Sequence, residues 1–185
     1  MIGHNREKYL QVEWGPNMAF RDSLQFLPAS LESLVASLAK VNRGYFQNLH
    51  DVASNMYPES EIQLLERKGV DCYEYVDSFA RLEELVITSR KAFFNMLGDV
   101  ECSQVDYAHA KHVWENYGCQ NLFDNMMLYL LSDICLLADV LKAFRNQSLD
   151  EYQLDPAYFL SAAQLAWNAL LKHIDRPIPL ITRCT

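Results

Sequence analysis

The 185-residue sequence has no surplus of positive charge: 16 Lys and Arg residues stand against 24 Asp and Glu, for a formal net charge of -8. A protein that grips nucleic acid mainly through phosphates needs the opposite sign, so any contact with DNA must be local. The five cysteines include no C-x-x-C pair, and no charged-then-apolar leader opens the chain. These absences predict a protein of a reducing, intracellular compartment.

The sequence also lacks an uninterrupted apolar run of membrane-spanning length. The run from Met126 to Leu141 contains Asp133 and Asp139, and a span needs about 20 apolar residues. This run is therefore predicted to be a buried helix, with no membrane partner. The chain has no repeat, no Gly-rich phosphate loop and no Ser-His-Asp arrangement. Half of its residues are hydrophobic, which is enough for one compact core or for a piece of a larger one.

An extended pattern is confined to the beginning of the chain. The segment "KYLQVEW" alternates its side chains, "GPN" is typical of a turn, and "MAFRDSLQFL" resumes the pattern. Residues Lys8 to Ser23 are therefore predicted to form a β-hairpin. Beyond it the sequence predicts helices that begin at Ser30 and at Ser103 with its Asp106. The other predicted helices are "SEIQLLERK" ended by Gly69, "SRKAFFNML" ended by Gly98, a long one from Asn121 to Arg145, and "LDPAYFLSAAQLAWNALLK".

Two acids in the stretch "YLLSDICLLADV" need an explanation, because carboxylates are costly to bury unless something binds them. Helical spacing places Tyr129 and Asp133 on one predicted inward stripe and turns Asp139 well away. A Tyr hydroxyl one turn before an Asp carboxylate can help to hold a divalent metal and orient a water for attack on phosphate. The pattern alone favours the simpler explanation, a buried Asp satisfied by a hydroxyl or a backbone cap.

A second candidate site lies in the segment from 102 to 119. Cys102, His109, His112 and Cys119 are the residue types that bind zinc. However, the cysteines lie at opposite ends of a predicted helix, and gaps of six residues are not those of a zinc finger. The pattern favours the interpretation that the two histidines decorate an exposed turn.

Five segments of the chain, in order, are "RDSLQFLPASLESLV", "RKGVDCYEYVDSF", "DYAHAKHVWENYGCQNL", "YLLSDICLLADV" and "LDPAYFLSAAQLAWNALLK". Together they resemble one continuous part of the protein-primed family B DNA polymerases, in particular those of Maverick or Polinton-type transposons and related viruses and linear plasmids. The resemblance runs from about Phe20 to Lys172. It implies the second half of a 3′-to-5′ proofreading exonuclease domain over residues 1–145, and over 146–185 a connector toward a polymerase palm.

The resemblance implies roles for particular residues. Ser23, Leu24 and Leu27 match the Ser-Leu-x-x-hydrophobic motif that contacts single-stranded DNA. Tyr129 and Asp133 match the Tyr-x-x-x-Asp motif, which implies water orientation by Tyr129 and metal ligation by Asp133. Lys68 matches the lysine motif that assists the phosphate chemistry, although Asp71 stands where that motif has an apolar or aromatic residue.

The other acids of a two-metal nuclease are missing from the sequence. The Asp-x-Glu strand motif would lie upstream of Met1, and no intact Asn-x-x-x-aromatic-Asp motif is present. Asn5 and Tyr9 fit the latter with Leu10 in place of the Asp, but "REKYLQVEW" is better interpreted as a later strand. Because one carboxylate cannot hold two divalent cations, the Mg²⁺ or Mn²⁺ of the complete family enzyme is not expected on this chain alone, and neither is exonuclease activity.

The palm motifs Asp-x-x-Ser-Leu-Tyr-Pro and Asp-Thr-Asp are absent as well, so nucleotide addition by this chain in isolation is not expected. Smaller departures from the family pattern occur at Asp71, Cys72, Asn125 and Leu131. They are compatible with drift in a decaying transposon copy or with divergence in a working enzyme. The partners that the resemblance implies are the 3′ end of single-stranded DNA and a terminal protein.

The sequence thus predicts a mostly helical α+β fold. Its N-terminal hairpin would come from a ribonuclease-H-like exonuclease sheet, followed by packed helices. A hairpin without a partner strand suggests a piece of a longer protein. We expect the uncovered apolar surface to favour self-association. Two hypotheses follow: a fragment of a DNA-directed DNA polymerase, or a transposon-derived helical module that binds a partner without catalysis.

Overall fold

The structure is a computed structural model that describes residues 2–3, 9–16 and 18–174. In this part of the chain seven α-helices accompany a small antiparallel sheet near the N-terminus. The fold is therefore α+β and mostly helical, as the sequence predicts. No helix among the described residues has the length and apolar character needed to cross a membrane.

The predicted hairpin is confirmed. Strand β2 (Tyr9–Trp14) pairs antiparallel with β3 (Met18–Arg21), from the pair Gln11 and Arg21 to the pair Trp14 and Met18. Gly15 has a φ of +65° in the turn, a conformation that a glycine adopts without a Cβ penalty. A two-residue strand, β1 (Ile2–Gly3), pairs antiparallel with the other edge of β2, so the hairpin has the partner strand that the sequence did not predict. Asn5, Lys8 and Asn17 lie outside the described residues.

The helices begin where short polar side chains accept backbone hydrogen bonds. Ser30 Oγ accepts from the Ser33 N–H, and Ser103 Oγ accepts from the Asp106 N–H, which confirms both predicted starts. The long helix continues seven residues beyond the predicted end at Arg145. The helices are α1 (Leu31–Val41), α2 (Gln47–Ala53), α3 (Glu59–Ile62), α4 (Phe79–Leu82), α5 (Gln104–Asn116), α6 (Leu122–Tyr152) and α7 (Ala162–His173).

The helix predicted over "SEIQLLERK" is much shorter than expected. Helix α3 ends at Ile62, and one 3₁₀ turn carries the chain to Leu65. The next residue, Glu66, turns its carboxylate inward, where it lies 2.8 Å from Arg43 Nη1 and 2.8 Å from His50 Nε2. Because this side chain is only 5% exposed, binding to Arg43 and His50 outweighs continuation of the helix.

The helix predicted over "SRKAFFNML" is wrong. Only a 3₁₀ turn forms there, over Arg90–Phe93. Phe93 is buried in the core, and Phe94 then leaves in an extended conformation. Asn95 instead exchanges two backbone hydrogen bonds with Val100, at 3.0 and 3.2 Å. This small β-bridge satisfies backbone groups that a helix would otherwise have used.

The chain divides into two compact units. One contains the described residues of Met1–Ala29 and Leu141–Thr185, and the other is Ser30–Val140. A hydrophobic cluster of the second unit consists of Cys72, Phe93, Cys102, Ala110 and Leu122. The boundary at residue 145 between an exonuclease part and a connector, which the resemblance implies, stays a prediction.

Candidate functional site

The buried face of α6 differs from the predicted one. Asp139 was predicted to face away from the inward stripe, but it is fully buried. Tyr129 and Asp133 are half-buried at the edge of the buried face. The buried stripe is centred about one residue earlier than expected, because polar as well as apolar side chains belong to it. Its members are Leu122, Asn125, Leu128, Ser132, Cys135, Leu136, Asp139 and Val140.

Asp139 caps the N-terminus of another helix. Its Oδ1 accepts hydrogen bonds from the Asn48 N–H at 2.8 Å and from Asn48 Nδ2 at 2.7 Å, and its Oδ2 accepts from the Leu49 N–H at 3.1 Å. Asn48 and Leu49 lie in the first turn of α2, where backbone N–H groups have no partner within the helix. The carboxylate supplies those partners and complements the positive end of the helix. The burial of Asp139 is thus explained by structure alone.

Asp133 meets a different partner. Lys68, in the irregular segment after the turn that ends at Leu65, places its Nζ 2.5 Å from Asp133 Oδ2. The same Nζ contacts the Tyr129 hydroxyl and lies 4.2 Å from the centroid of the Tyr129 ring. The structure therefore brings together three of the predicted site residues, although Lys68 is 61 and 65 positions from the other two. The name Lys68 cluster is used below for these three side chains.

The electrostatics of the Lys68 cluster favour a charged lysine beside a neutral phenol. Burial lowers the pKa of Lys68, but its hydrogen bonds and charge interactions with Asp133 and Tyr129 outweigh burial and raise it above the ordinary value. Burial also raises the pKa of Tyr129, which the bond from Lys68 only partly offsets. At neutral pH the cluster therefore holds one cation, and the Tyr129 O–H keeps its proton and remains available as a donor.

The second oxygen of Asp133 has no partner among the described residues. Oδ1 is buried and accepts no hydrogen bond, which leaves one acceptor position that a cation or a donor could satisfy. However, the described residues contain no group of three His, Cys, Asp or Glu side chains arranged to hold a metal ion. The ammonium of Lys68 also occupies the neighbouring oxygen. Asp133 therefore fits one ligand position of Mg²⁺ or Mn²⁺, and the described residues do not complete a coordination shell.

Two departures from the family pattern contact each other beside the Lys68 cluster. Asn125 Nδ2 donates to Asp71 Oδ1 at 3.3 Å, and both side chains are buried. Relative to the resemblance, an amide donor stands where an aromatic residue is expected and a carboxylate acceptor stands where an apolar or aromatic residue is expected, so the two residues are chemically complementary. The sequence analysis missed this pair. A signal for it was present in the sequence, because Asp71 and Asn125 are both polar where the resemblance predicts core residues, and one is an acceptor and the other a donor.

The burial of Asp71 should make the stability of the protein depend on pH. Burial raises the pKa of Asp71, and hydrogen bonds from the backbone and Asn125 offset this only in part. Its contribution to stability is thus present below the unfolded-state pKa and is lost as pH rises through the folded-state pKa. Asp71→Asn keeps an oxygen for Asn125 and removes the buried charge. We expect the variant to be about 1 kcal/mol more stable than the parent at pH 7, with the difference shrinking toward pH 4.

Urea denaturation of both proteins at each pH measures this difference. Asp150→Asn, at an exposed position of α6, is the matched control and should show no such pH dependence. A variant less stable than the parent at pH 7 would contradict the argument, since it would mean that the ionised Asp71 contributes favourably through Lys68.

The predicted DNA-binding residues belong to the other compact unit. Ser23 and Leu24 form a 3₁₀ turn that Asp22 caps, because its Oδ1 accepts from the Leu24 N–H at 3.0 Å. Leu24 is 58% exposed, and Ser23 lines a cavity of about 370 Å³ together with Phe26 and Phe144. The turn presents a hydroxyl and an apolar side chain. Their contact with DNA stays a prediction.

The residues of the zinc alternative do not converge. Cys102 lies just before α5 and Cys119 just after Gly118, at opposite ends of the helix. His109 is half-buried, and its Nε2 lies 3.0 Å from the carbonyl oxygen of Leu64. The expectation that His109 decorates an exposed turn is therefore wrong, because this ring packs within the second unit. Of the two histidines of α5, His112 is the exposed one.

Comparison of the chain with models of known protein families, with curated proteins and with solved structures gives no match.

Proposed function

We propose that this chain is a part of a protein-primed family B DNA polymerase that comes from its ribonuclease-H-like proofreading exonuclease region. The observation that supports the proposal is the contact of Lys68 Nζ with both Tyr129 and Asp133. Two separate motifs of the resemblance name these three residues. If the resemblance is genuine, the residues of the two motifs should lie together. An accidental match of the sequences gives no reason to expect Lys68 beside Tyr129 and Asp133.

The chemistry of the Lys68 cluster suits phosphodiester cleavage. A lysine ammonium stabilises negative charge on a phosphate oxygen, and a protonated phenol orients a water molecule. The carboxylate of Asp133 supplies one ligand position for a divalent ion, through the Oδ1 that accepts no hydrogen bond from any residue the structure describes. Mg²⁺ or Mn²⁺ would supply Lewis-acid stabilisation in the complete enzyme. The 3′ end of single-stranded DNA is the proposed substrate of that enzyme, and a terminal protein is its proposed partner in replication.

The chain alone is proposed to be catalytically inactive. Purified protein with Mg²⁺ or Mn²⁺ and a 5′-labelled single-stranded oligonucleotide should give no 3′-end shortening above background, measured by denaturing electrophoresis. The reason is that one carboxylate does not bind two ions. Shortening that disappeared in Asp133→Ala would contradict this expectation.

Transcript sequence on both sides of these 185 residues tests the family assignment. An in-frame Asp-x-Glu upstream and Asp-x-x-Ser-Leu-Tyr-Pro downstream would support it, and the longer protein should then shorten the oligonucleotide. In that protein Asp133→Ala and Lys68→Ala should each lower the exonuclease rate by at least about 100-fold. Exposed Lys40→Ala is the matched control. Start and stop codons directly around these residues would count against the assignment.

A second candidate function is a transposon-derived helical module that binds a partner without catalysis. Large apolar side chains recur along the outer face of α6 with spacings of three or four residues, and each is 45% to 66% exposed. They are Phe123, Met127, Leu130 and Ile134. Such a stripe is typical of a helix that packs against another protein or a second copy of the chain. A sedimentation experiment that found only monomer at 100-fold dilution and at high concentration would count against self-association.

A further inference from the structure

A cavity of about 310 Å³ lies in the second compact unit, away from the Lys68 cluster. Its walls come from residues just after α2, residues just after α5 and the first turns of α6. Its size is at the lower end of the range for small-molecule sites. Two tyrosine rings, one carboxylate and two thioethers face the same space. These residues are Tyr57, Tyr117, Asp124, Met56 and Met127.

The tyrosine rings form two walls that meet nearly at a right angle. The ring centroids of Tyr57 and Tyr117 are 4.5 Å apart, and the ring planes are inclined at 79°. The Tyr117 hydroxyl donates a hydrogen bond of 2.6 Å to the carbonyl oxygen of Glu61, which fixes this ring in place. The face of an aromatic ring carries negative partial charge and attracts a cation within about 6 Å. Two such faces around one space can attract the same cation.

The charge of the residues that line the cavity also favours a cation. Among the described residues that line the cavity, none is Lys, Arg or His, and Asp124 carries the one formal charge. The C-terminus of α5 and the N-terminus of α6 contribute partial charges of about -0.5 and +0.5, which nearly cancel. The carboxylate of Asp124 therefore decides the sign. Burial, followed by the charges of Cys119, Asp124 and Glu61, raises the pKa of Tyr57, as expected for a negative environment.

The remaining lining selects the type of cation. The rest of the lining consists of the thioethers of Met56 and Met127 together with Gly118, Cys119, Leu128 and Leu131. Hard inorganic cations require several oxygen ligands, which this lining does not supply. A cation covered by methyl groups loses little hydration on entry and gains contact with the apolar and thioether surface. Aromatic rings around a quaternary ammonium group are a recurrent solution to this problem in proteins.

We propose that this cavity binds an alkylammonium cation, with a quaternary ammonium group in the corner that the Tyr57 and Tyr117 rings form and beside Asp124. A methylated lysine side chain and a free quaternary ammonium compound share this chemistry. The proposal does not depend on the polymerase assignment, because none of its residues belongs to the Lys68 cluster.

Tetramethylammonium is the probe for a first test by NMR, with the methionine methyl groups labelled with ¹³C. The signals of Met56 and Met127 should shift on titration, with a dissociation constant on the order of 1 mM. Tyr57→Leu should weaken binding at least about fivefold, whereas Tyr57→Phe, which keeps the ring, should leave it within about twofold. Asp124→Asn, which keeps an oxygen for the Gln120 N–H, should also weaken binding at least about fivefold.

Matched controls separate this proposal from general apolar binding. Tyr73→Leu removes a half-exposed ring that does not line the cavity and should leave binding unchanged. Neutral tert-butanol has nearly the shape of the probe and should not shift the two methionine signals at the same concentration. Equal binding of tert-butanol, or probe binding insensitive to both Tyr57→Leu and Asp124→Asn, would overturn the proposal. Choline and a peptide with trimethyllysine then distinguish a free ligand from a protein-borne one.

Discussion

Replacing Asp139 by alanine should destabilise the protein by about 4 kcal/mol, the largest single effect that we expect. The carboxylate is fully buried and accepts three hydrogen bonds from Asn48 and Leu49. Its removal leaves two backbone N–H groups and one amide without acceptors, and each unsatisfied buried donor costs about 1 to 3 kcal/mol. For a chain of this length the melting temperature should fall by about 10 °C, which calorimetry or thermal circular dichroism can measure.

Asp139→Asn and Asp150→Ala provide the comparison. The asparagine keeps one acceptor oxygen and presents an amide to a donor, so we expect about half of the loss. Asp150 lies on the same helix and is exposed, and its replacement should change stability by less than about 0.5 kcal/mol. If Asp139→Ala were as stable as Asp150→Ala, the capping of α2 by this carboxylate would be refuted.

Lys68→Met should destabilise the protein by about 2 kcal/mol, and the loss should depend on Asp133. The side chains of Lys68 and Asp133 are 23% and 21% exposed, so removal of the ammonium leaves a poorly hydrated carboxylate without its ion-pair partner. Adding Asp133→Asn to Lys68→Met removes that charge and should recover about 1.5 kcal/mol. Urea denaturation of the parent, both single variants and the double variant gives the coupling energy directly.

The matched control for this cycle is Lys40→Met, at an exposed position near the end of α1. Its effect should be within about 0.5 kcal/mol and should not change when Asp133→Asn is added. Additive effects of Lys68→Met and Asp133→Asn would contradict the contact on which the proposed function depends. This outcome would be informative even if the chain has no activity alone.

The parts of the fold that the sequence predicted are those with local causes. The hairpin turns at Gly15 and Pro16, and α1 and α5 begin at serines whose hydroxyls accept backbone hydrogen bonds three residues later. These signals act within a few residues, so one segment is sufficient to detect them. The helix predicted after Ser89 failed because Phe93 packs into a core that other segments build and because Asn95 pairs with Val100.

The candidate site was predicted in part. The resemblance named Lys68, Tyr129 and Asp133, and the structure brings these side chains into contact. Periodicity assigned the wrong burial to Asp139, because a fully buried carboxylate breaks the rule that polar residues face outward. Its partners lie at the start of α2, 90 and 91 positions earlier, and no local pattern reports a contact of that separation.

The separation between Asp139 and α2 also bears on the order in which the chain folds. A helix of seven residues has little stability by itself in water, and its cap becomes available only after a loop of about 90 residues has closed. The hydrogen bonds between Asp139 and the first turn of α2 should therefore form late in folding, after the transition state. Loss of the Asp139 carboxylate would then accelerate unfolding much more than it slows refolding, and the native protein would be short-lived even under conditions in which it still forms at the normal speed.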